Sequence, residues 1–435
     1  MQQKKIAFTT LGCKVNMYDT EAMRELFLAR GYTEVDFEEK ADIYLINTCS
    51  VTNFGDKKSR QIIRRARKLN PEAIVVASGC YAQVAPEAVA AVEGINIVTG
   101  IKDRGHIVDI VESYTGGVLN LVSDIKTAIE FEPLSVTRLE GHTRAYLKIQ
   151  EGCNRYCTYC IIPYARGPIR SRKSAEVVEE VKKLAANGFK EVVLTGIHVA
   201  SYGLDLDEGV YLADIIERVH EVDGIERIRF SSMEPLAVTD DFIERMKKLP
   251  KVCDHYHLSL QSGCDNTLHD MGRRYTAQQY FEAVQRIKSA YPDGAVTTDI
   301  IVGFPGESDE DFASSLAFAE KCALAKIHVF PYSPKSGTPA AKRKDQIPPE
   351  VKAQRAKIMG DMSDKLQREF MENMVGRSFS VLFEREVEKG VYEGYTTNYV
   401  RVLAESDKCL HNVICEVEIT GLDESEPAVW AKTDI

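Results

Sequence analysis

Six short apolar runs alternate with helical segments between residues 143 and 335, and this alternation most constrains the fold of the chain. The helical segments include AEVVEEVKKLAANG and TAQQYFEAVQRIKSA. Six successive strand–helix units predict a partial, open parallel barrel of the (β/α)6 type rather than a flat sheet. In parallel barrels the catalytic groups lie at the C-terminal ends of the strands. The six candidate strands are RAYLKIQ, EVVLTG, RIRFSS, YHLSLQ, VTTDIIVG and IHVFPY.

Three cysteines follow the first of these strands in the stretch EGCNRYCTYC, at Cys153, Cys157 and Cys160. A structural zinc site takes four ligands, and the one nearby histidine, His142, precedes the strand. Disulfides use cysteines in pairs and belong mainly to secreted chains. Three thiolates can hold three irons of a [4Fe–4S] cluster, whose full ligation takes four. The spacing therefore favours a cluster with one iron open to a small chelating molecule.

The first 125 residues show a second alternation of apolar runs with helical segments, which predicts a doubly wound parallel sheet. Cys13 follows the first apolar run, Cys49 closes the second and Cys80 closes the third. Because parallel strands end at the same edge of a sheet, where open α/β sheets bind ligands, these cysteines can converge on one site. The alternative is three separate buried cysteines, since free cysteine is among the most buried residue types. The runs are KIAFTT, IYLINTC, AIVVASGC and INIVTG.

The last part of the chain has a different pattern. A long polar segment, PPEVKAQRAKIMGDMSDKLQREFMENM, predicts a connecting helix, and from residue 376 onward short apolar runs separated by turn residues predict a small β-barrel. Residues 372–435 contain six Lys or Arg against thirteen Asp or Glu, so the predicted barrel is net acidic. The sequence thus predicts an α/β protein with domains at residues 1–125, 139–370 and 372–435.

Basic residues cluster in two places although the formal net charge of the chain is −10. The segment KKSRQIIRRARK, residues 57–68, carries seven Lys or Arg in twelve positions, and YARGPIRSRK begins four residues after the cysteine motif. Such clusters often form only a solvated surface. The alternative is contact with nucleic-acid phosphates, for which Arg64, Arg65 and Arg67 are the candidate side chains.

The chain shows no targeting segment. Its first residues, MQQKKIAFTTLGC, include lysines but no apolar run of the signal-peptide kind after them. The run AIVVASGCYAQVAP is too short and too interrupted by Gly and Pro to cross a bilayer. We therefore expect a cytoplasmic protein without membrane association, in which the eleven cysteines serve metal or redox chemistry more than cross-links.

Seven motifs, in order from residue 11 to residue 340, resemble those of the methylthiotransferase family of radical S-adenosylmethionine (SAM) enzymes. The CxxxCxxC spacing with an aromatic residue, Tyr159, before the last cysteine is similar to the radical SAM signature. The LGCKVN turn is most similar to the bacterial subgroup that acts on threonylcarbamoyladenosine in tRNA, and the C-terminal region resembles the RNA-binding TRAM domain. The motifs are LGCKVN, INTCSV, SGCYAQ, QEGCNRYCTYCIIPYARG, HLSLQSGCDNTLHDMGRRYT, IVGFPGES and HVFPYSPKSGTPA.

This resemblance implies an enzyme with two [4Fe–4S] clusters and SAM. The cysteines of the CxxxCxxC motif would hold the cluster that chelates and reductively cleaves SAM to a 5′-deoxyadenosyl radical. An auxiliary cluster would carry the sulfur to be delivered, and a second SAM would supply the methyl group. A methylthio group would replace the hydrogen at C2 of the adenine. The implied ligands are Cys153, Cys157 and Cys160 for the first cluster, and Cys13, Cys49 and Cys80 for the second.

The resemblance also implies that the barrel strands bind SAM at their ends. Thr195 and Gly196, after the second strand, would lie near the methionine moiety. Gln261, Asp299 and Val302 would lie near the ribose and adenine. Each of these residues has an alternative role in packing the interior of the barrel.

The implied partners are a tRNA substrate and an electron donor such as a flavodoxin-type reductant, and the chain is expected to act as a monomer. The acidic C-terminal barrel fits an alternative, methylthiolation of an aspartate in a basic ribosomal protein. Isopentenyladenosine in tRNA is a second alternative substrate, and a non-catalytic iron–sulfur protein that binds RNA is a third reading. EGCNRYCTYC followed by IVGFPGES argues against the third, because a protein that only binds RNA needs no SAM-cleaving cluster. The LGCKVN turn and the basic segment favour tRNA.

Overall fold

A computed structural model describes residues 3–136 and 143–433. His142 and the predicted domain boundary at residue 139 lie outside the described residues. The described residues form a parallel sheet with helices on both faces, a central open barrel and a small closed barrel, in that order along the chain. This arrangement confirms the predicted fold class.

The N-terminal region is a six-stranded parallel sheet covered by helices on both faces. Its elements are β1 (Lys5–Thr10), α1 (Lys14–Ala29), β2 (Thr33–Glu34), β3 (Ile43–Thr48), α2 (Asn53–Leu69), β4 (Ile74–Gly79), α3 (Cys80–Val84), α4 (Pro86–Ala90), β5 (Ile97–Val98), α5 (Ile107–Glu112) and β6 (Leu119–Asn120). The spatial order is β2-β1-β3-β4-β5-β6. Successive strand residues point to opposite faces, so Ile6 and Phe8 pack with residues of α1 and α5 while Ala7 packs with residues of α2 and α3. Both faces of the sheet are therefore buried.

Local sequence explains where the first two helices begin. The hydroxyl of Thr52 accepts a hydrogen bond from the Gly55 amide at 3.2 Å and so caps α2. The buried residues of α2 recur at helical spacing, which leaves its basic side chains on the outer face. The apolar pattern predicts the first helix from residue 18, whereas α1 begins at Lys14. The difference arises because polar residues of its first turns, including Asn16 and Asp19, are buried against the central barrel.

The central region contains the six predicted parallel strands. Its elements are β7 (Arg144–Glu151), α6 (Ile162–Arg166), β8 (Arg170–Ser171), α7 (Ser174–Ala186), β9 (Glu191–Gly196), α8 (Leu212–His220), β10 (Arg227–Phe230), α9 (Asp240–Lys247), β11 (His255–His257), α10 (Asp265–Asp270), α11 (Ala277–Ala290), β12 (Ala295–Val302), α12 (Asp309–Cys322), β13 (Lys326–Pro331) and α13 (Pro349–Glu372). Two ladders, β8-β7-β9-β10 and β11-β12-β13, are joined by isolated bridges between the β10 and β11 segments. Among the described strands no ladder joins β7 or β8 to β13, so the barrel is open on that side.

The C-terminal region is a closed five-stranded barrel that contains β14 (Ser378–Glu388), β15 (Val391–Thr396), β16 (Arg401–Glu405), β17 (Ile414–Leu422) and β18 (Val429–Thr433). β18 is absent from the prediction. It closes the barrel by pairing parallel to β16 and antiparallel to β17. This barrel docks on the central one, where Arg229 donates to the Thr397 carbonyl at 2.8 Å and Arg144 donates to the Tyr399 hydroxyl oxygen at 2.8 Å. Arg144 is the first residue of β7, so docking occurs at the amino ends of the strands.

Candidate functional site

Cys13, Cys49 and Cys80 lie at the carboxyl edge of three neighbouring strands. β1, β3 and β4 are adjacent in the sheet. Cys13 caps the helix after β1, Cys49 directly follows β3, and Cys80 is the first residue of α3 after β4. Electrostatic interactions of Cys80 with both other thiols contribute to its raised pKa, which places the three at one site. The structure therefore brings together the three residues that the strand-end argument predicted.

Two glycines make this convergence possible. Gly12 has a φ of +104°, and a Cβ added to it would lie 2.9 Å from the Sγ of Cys49. Gly79 has a φ of +96°, and a Cβ there would lie 2.5 Å from the Thr48 carbonyl oxygen. Only glycine adopts such a backbone without strain and leaves this space. The glycine before each cysteine in LGC and SGC thus allows the thiols to approach one another.

The second triad lies in the loop after β7. The amide of Cys153 donates to the Gly167 carbonyl at 3.0 Å, and the amide of Cys160 donates to the Cys157 carbonyl at 2.9 Å. The amide of Thr158 donates to the Met271 carbonyl at 2.9 Å, which ties the loop to the segment after α10. These bonds hold the three thiols at the carboxyl end of the central barrel, where parallel barrels place their chemistry.

Burial disfavours the thiolate form at two cysteines of each triad. It raises the pKa of Cys80 to about 11 and that of Cys160 to about 12. The pKa values of Cys49 and Cys153 are also raised, again mainly by burial. Bound metal supplies the positive charge that a buried thiolate needs, so these environments fit metal ligands.

The number of thiols in each triad matches what a [4Fe–4S] cluster with one open iron would take from the chain. Such a cluster distributes its thiolate ligands over different irons. Within residues 3–136 and 143–433, no three Cys, His, Asp or Glu side chains form a group that could hold a single metal ion.

Arg166 joins the two triads. It is the last residue of α6, which begins two positions after Cys160, and it is fully buried. Its Nε donates to the Sγ of Cys80 at 3.4 Å. Its other nitrogens bond to carboxylates of Asp19, at 3.3 Å, and Glu151, at 2.5 Å. The loop that carries one triad therefore ends in a guanidinium group that contacts a thiol of the other.

The buried charged groups around Arg166 do not balance one another. Burial alone would raise the pKa of Glu151, but the surrounding cations, chiefly Arg104, hold it well below its usual range. The group contains four cations and three carboxylates, so it has one excess positive charge. A thiolate at Cys80 would balance this charge. The cations are Arg104, Lys148, Arg166 and Arg170, and the carboxylates are Asp19, Glu132 and Glu151.

This network changes the interpretation of the second basic cluster, YARGPIRSRK. Arg166, Arg170 and Arg172 are all buried. Arg172 pairs with Glu180 at 2.6 Å, and Arg170 donates to the Arg166 carbonyl at 2.9 Å. The arginines of this cluster therefore do not form a solvated surface, because they bind buried partners between the N-terminal sheet and the central barrel.

A second arginine, Arg273, contacts the other triad. Its Nη1 lies 3.3 Å from the Sγ of Cys157, and its guanidinium also pairs with Glu234 at 3.6 Å. Glu234 in turn pairs with Arg155, inside the cysteine loop, at 2.6 Å and with His198 at 3.2 Å. These side chains form a network of ion pairs around the loop. The sequence analysis missed them because they come from four separate segments and show no common motif.

Of the residues predicted to bind SAM, Thr195, Gly196 and Val302 end their strands, Gln261 follows β11, and Asp299 lies within β12. Thr195 is buried, and a Cβ added to its neighbour Gly196 would lie 2.9 Å from the Gln150 carbonyl oxygen. Gln261 has a φ of +70°, and its amide donates to the Asp299 carbonyl at 2.8 Å.

Asp299 is half-buried, and its carboxylate lies 3.4 Å from the Nε2 of His257. The side chain of Val302 packs in the main hydrophobic core, so it offers a ligand only its backbone. The role of all five residues in SAM binding stays a prediction.

The three arginines predicted to contact RNA occupy different environments on α2. Arg64 is exposed and makes no ion pair with any described residue. Arg65 is exposed and pairs with Glu38. Arg67 is half-buried, and its guanidinium donates to the Gly94 carbonyl at 2.8 Å and to other groups at the end of α2. Arg64 and Arg65 are thus available to a ligand, whereas the bonds of Arg67 hold it against the N-terminal sheet.

A cavity of about 500 Å³ lies between α3, which begins at Cys80, and the segment that follows Cys160. Ile161 and Tyr164 line it from the segment after Cys160, and Gln83 and Val84 line it from α3. Lys335, which lines the opposite wall, pairs with Asp56 on α2. None of the six cysteines is among the residues that line it.

Two family models match the chain. The Radical SAM superfamily matches residues 147–319, and Uncharacterized protein family UPF0004 matches residues 5–100. These ranges contain the CxxxCxxC loop and the three strand-end cysteines, respectively. Within the described residues, no helix combines the length and apolar character needed to cross a membrane.

Several curated proteins are similar over nearly the whole chain. Threonylcarbamoyladenosine tRNA methylthiotransferase MtaB of Bacillus subtilis is 42% identical over 420 residues, which cover 95% of this chain and 93% of that protein. The protein of the same name from Aquifex aeolicus is 39% identical, covering 93% and 97%. The tRNA-2-methylthio-N(6)-dimethylallyladenosine synthase of Thermoanaerobacter sp. is 35% identical, covering 86% and 81%.

Solved structures share the fold at low identity. The radical S-adenosylmethionine methyltransferase TsrM from Kitasatospora setae, with cobalamin and a [4Fe-4S] cluster bound, aligns with a TM-score of 0.58 at 15% identity. The alignment covers 78% of this chain and 77% of that one. This likeness extends to the fold alone.

Proposed function

Because the chain belongs to the radical SAM methylthiotransferase family, we propose that it replaces the hydrogen at C2 of N6-threonylcarbamoyladenosine in tRNA with a methylthio group. The 42% identity to MtaB over 93% of that protein's length supports this substrate. The enzyme uses two [4Fe–4S] clusters and SAM. When bound, one cluster supplies the electron for reductive cleavage of SAM and the other supplies the sulfur atom.

The contact between Arg166 and Cys80 is the observation that carries the proposal. A reaction that activates a carbon beside one cluster and takes sulfur from another needs both held in a fixed relation. Cys153, Cys157 and Cys160 hold the first cluster, and α6 leads from the last of them to Arg166. Arg166 donates to a ligand of the second cluster, so the short helix acts as a spacer between the two.

The chain's remaining groups orient the reactants. Arg273 donates to the Sγ of Cys157 and, through Glu234, steadies the loop at Arg155. Thr195 and Gly196 hold the methionine part of SAM. The ribose and adenine are held by Gln261, Asp299 and the backbone of Val302.

The RNA approaches along α2, which begins four residues after Cys49. Its exposed arginines, Arg64 and Arg65, lie in the C-terminal half of α2 and contact phosphates there. We assign residues 1–125 to the auxiliary-cluster domain, residues 139–370 to the radical SAM domain and residues 372–435 to a TRAM-like domain. The enzyme acts as a monomer in the cytoplasm, with a flavodoxin-type electron donor.

Nucleoside mass spectrometry of tRNA tests the proposal. Deletion of the gene should convert methylthiolated threonylcarbamoyladenosine to the form without the methylthio group, and the parent gene should restore it. The Cys157→Ala variant, expressed at the same level, should not restore it. Loss of methylthiolated dimethylallyladenosine instead would show the other tRNA substrate, and unchanged nucleosides with a lighter ribosomal protein would show a protein substrate.

A further inference from the structure

Lys14 reaches from the N-terminal sheet into the central barrel near its amino end, where the C-terminal barrel docks. It directly follows Cys13 and is the first residue of α1. Its Nζ lies 5.8 Å from the ring centroid of Tyr146 and 5.9 Å from that of Tyr399. Tyr146 lies on β7, next to the open side of the barrel, and alternates with residues that pack into the outer core. The side chain of Lys14 therefore crosses from the auxiliary-cluster edge into the barrel.

Lys14 differs from the neighbouring cations at this end of the barrel because its ammonium has no anionic partner. Arg144 pairs with Glu384 at 2.5 Å, and Arg229 pairs with Glu191 at 3.0 Å. Within residues 3–136 and 143–433, the Nζ of Lys14 makes no hydrogen bond or ion pair and contacts only the two tyrosine rings. Because a half-buried ammonium group without a counter-ion is unfavourable, the Lys14 side chain favours the binding of an anionic group of a ligand.

We propose that Lys14 binds the carboxylate of the threonyl group on N6 of the substrate adenine. This inference rests on the proposed function. Adenine carries C2 and N6 on the same edge, on either side of N1, so the N6 substituent extends beside the atom that receives sulfur. Cys13 and Lys14 are consecutive, with α-carbons about 3.8 Å apart. With C2 facing the site of Cys13, the N6 group reaches the side chain of the next residue.

This end of the barrel favours this carboxylate over an apolar N6 group. The ammonium of Lys14 and the threonyl carboxylate would form a charge-assisted hydrogen bond, which is strengthened by partial burial. A dimethylallyl group in the same place would leave the ammonium without a partner, and leaving a buried charge unpaired disfavours the wrong ligand. Lys14 thereby acts in substrate selection as well as in binding.

Equilibrium binding to anticodon stem-loops tests the role of Lys14 without relying on turnover. Three RNAs of one sequence differ only at N6, which carries threonylcarbamoyl, its methyl ester or dimethylallyl. The reconstituted parent should bind the acid at least about tenfold more tightly than the neutral ester, as one charge-assisted hydrogen bond predicts. Lys14→Met should bind acid and ester equally, whereas Lys14→Arg should keep the preference. Lys58→Met, an exposed lysine of α2, is the control and should weaken all three RNAs by the same factor.

Two binding results would overturn the inference. If the parent binds the acid and the ester equally, the role of Lys14 is refuted. This comparison needs no variant, so it can be made even if Lys14→Met does not fold. Equal weakening of all three RNAs by Lys14→Met would make Lys14 a phosphate contact instead. The proposed function fails separately, if the parent adds no methylthio group to the threonylcarbamoyl RNA. A parent that modifies this RNA but shows no preference for the acid retains the function and loses only the role of Lys14.

Discussion

The Nε of Arg166 lies 3.4 Å from the Sγ of Cys80, so a residue of the central barrel contacts a thiol of the N-terminal sheet. Both side chains are buried. The same guanidinium bonds to Asp19 and Glu151, one from each region. The packed interface between the N-terminal sheet and the central barrel therefore fixes the relative position of the two cysteine triads.

Arg166→Met should strongly destabilise the protein. It leaves the carboxylates of Asp19 and Glu151 buried with fewer cations, and breaking a buried ion pair in this way costs about 3–5 kcal/mol. The measurement is the free energy of unfolding in urea, made anaerobically on metal-free protein. Arg64→Met, at an exposed position, should change it by less than about 0.5 kcal/mol. Equal small effects of the two substitutions would show that the Arg166 network contributes little.

Replacing a cysteine of one triad should leave the iron bound at the other triad in place. Cys157→Ala should abolish both SAM cleavage and product, because it removes a ligand of the cluster that binds SAM. Cys49→Ala should retain about half of the iron, if each site holds one four-iron cluster, and should still form 5′-deoxyadenosine without methylthiolated nucleoside. Iron, 5′-deoxyadenosine and nucleoside are measured on one anaerobic preparation. Full iron and full product in Cys49→Ala would mean that the strand-end cysteines are only buried thiols.

Arg64 and Arg65 should contribute to the salt dependence of tRNA binding. Replacing both by Gln should weaken binding and reduce the slope of log K against log salt by about two, because each lost phosphate contact removes released counterions. Arg67→Gln is the matched control on the same helix. Its guanidinium already bonds to the Gly94 carbonyl, so the slope should stay at the parent value. An unchanged slope in the double variant would make this face of α2 an ordinary solvated surface.

Arg229→Met should loosen the C-terminal barrel. The substitution removes the hydrogen bonds to the carbonyls of Thr396 and Thr397 and leaves Glu191 with less compensation. Trp430 is the single tryptophan of the chain and lies in β18, so its fluorescence reports this barrel alone.

We expect the fluorescence transition in urea to separate from the circular-dichroism transition and to move to lower urea concentration. Lys357→Met, at an exposed site on α13, should leave the two transitions together, as in the parent. Coincident transitions in Arg229→Met would contradict the role of Arg229 in docking.

The convergence of the strand-end cysteines was predictable because it requires only that three strands of one parallel sheet be neighbours. β1, β3 and β4 are long apolar runs, and their adjacency in a parallel sheet brings their carboxyl ends together whatever the other strands do. β2, β6 and β8 have only two residues each, too few to show a period, and they are absent from the sequence-based prediction, whereas the run INIVTG predicted β5. β18 was missed for another reason, since its strand character depends on the partners that close the barrel.

The contacts of Arg166 and Lys14 could not be predicted from one sequence. Each depends on how two separately folded layers pack, and periodicity describes only single elements. The signal at Arg166 was misleading, because an arginine in a basic cluster resembles surface charge. A run of arginines directly after a CxxxCxxC loop is nonetheless a pattern that can be searched for in other chains.

The hydrogen bond from Arg166 to Cys80 spans 86 positions of the chain and therefore affects synthesis. The ribosome releases the N-terminal sheet first, and domains generally fold in that order. Cys13, Cys49 and Cys80 emerge while the guanidinium that completes their surroundings has not yet been made. Under the proposed assignment, iron delivered at that moment meets a site without Arg166, and the surroundings of the auxiliary centre are complete only when residue 166 has left the ribosome and α6 has docked. A chimera that exchanges the N-terminal region between relatives must accordingly carry α6 with it.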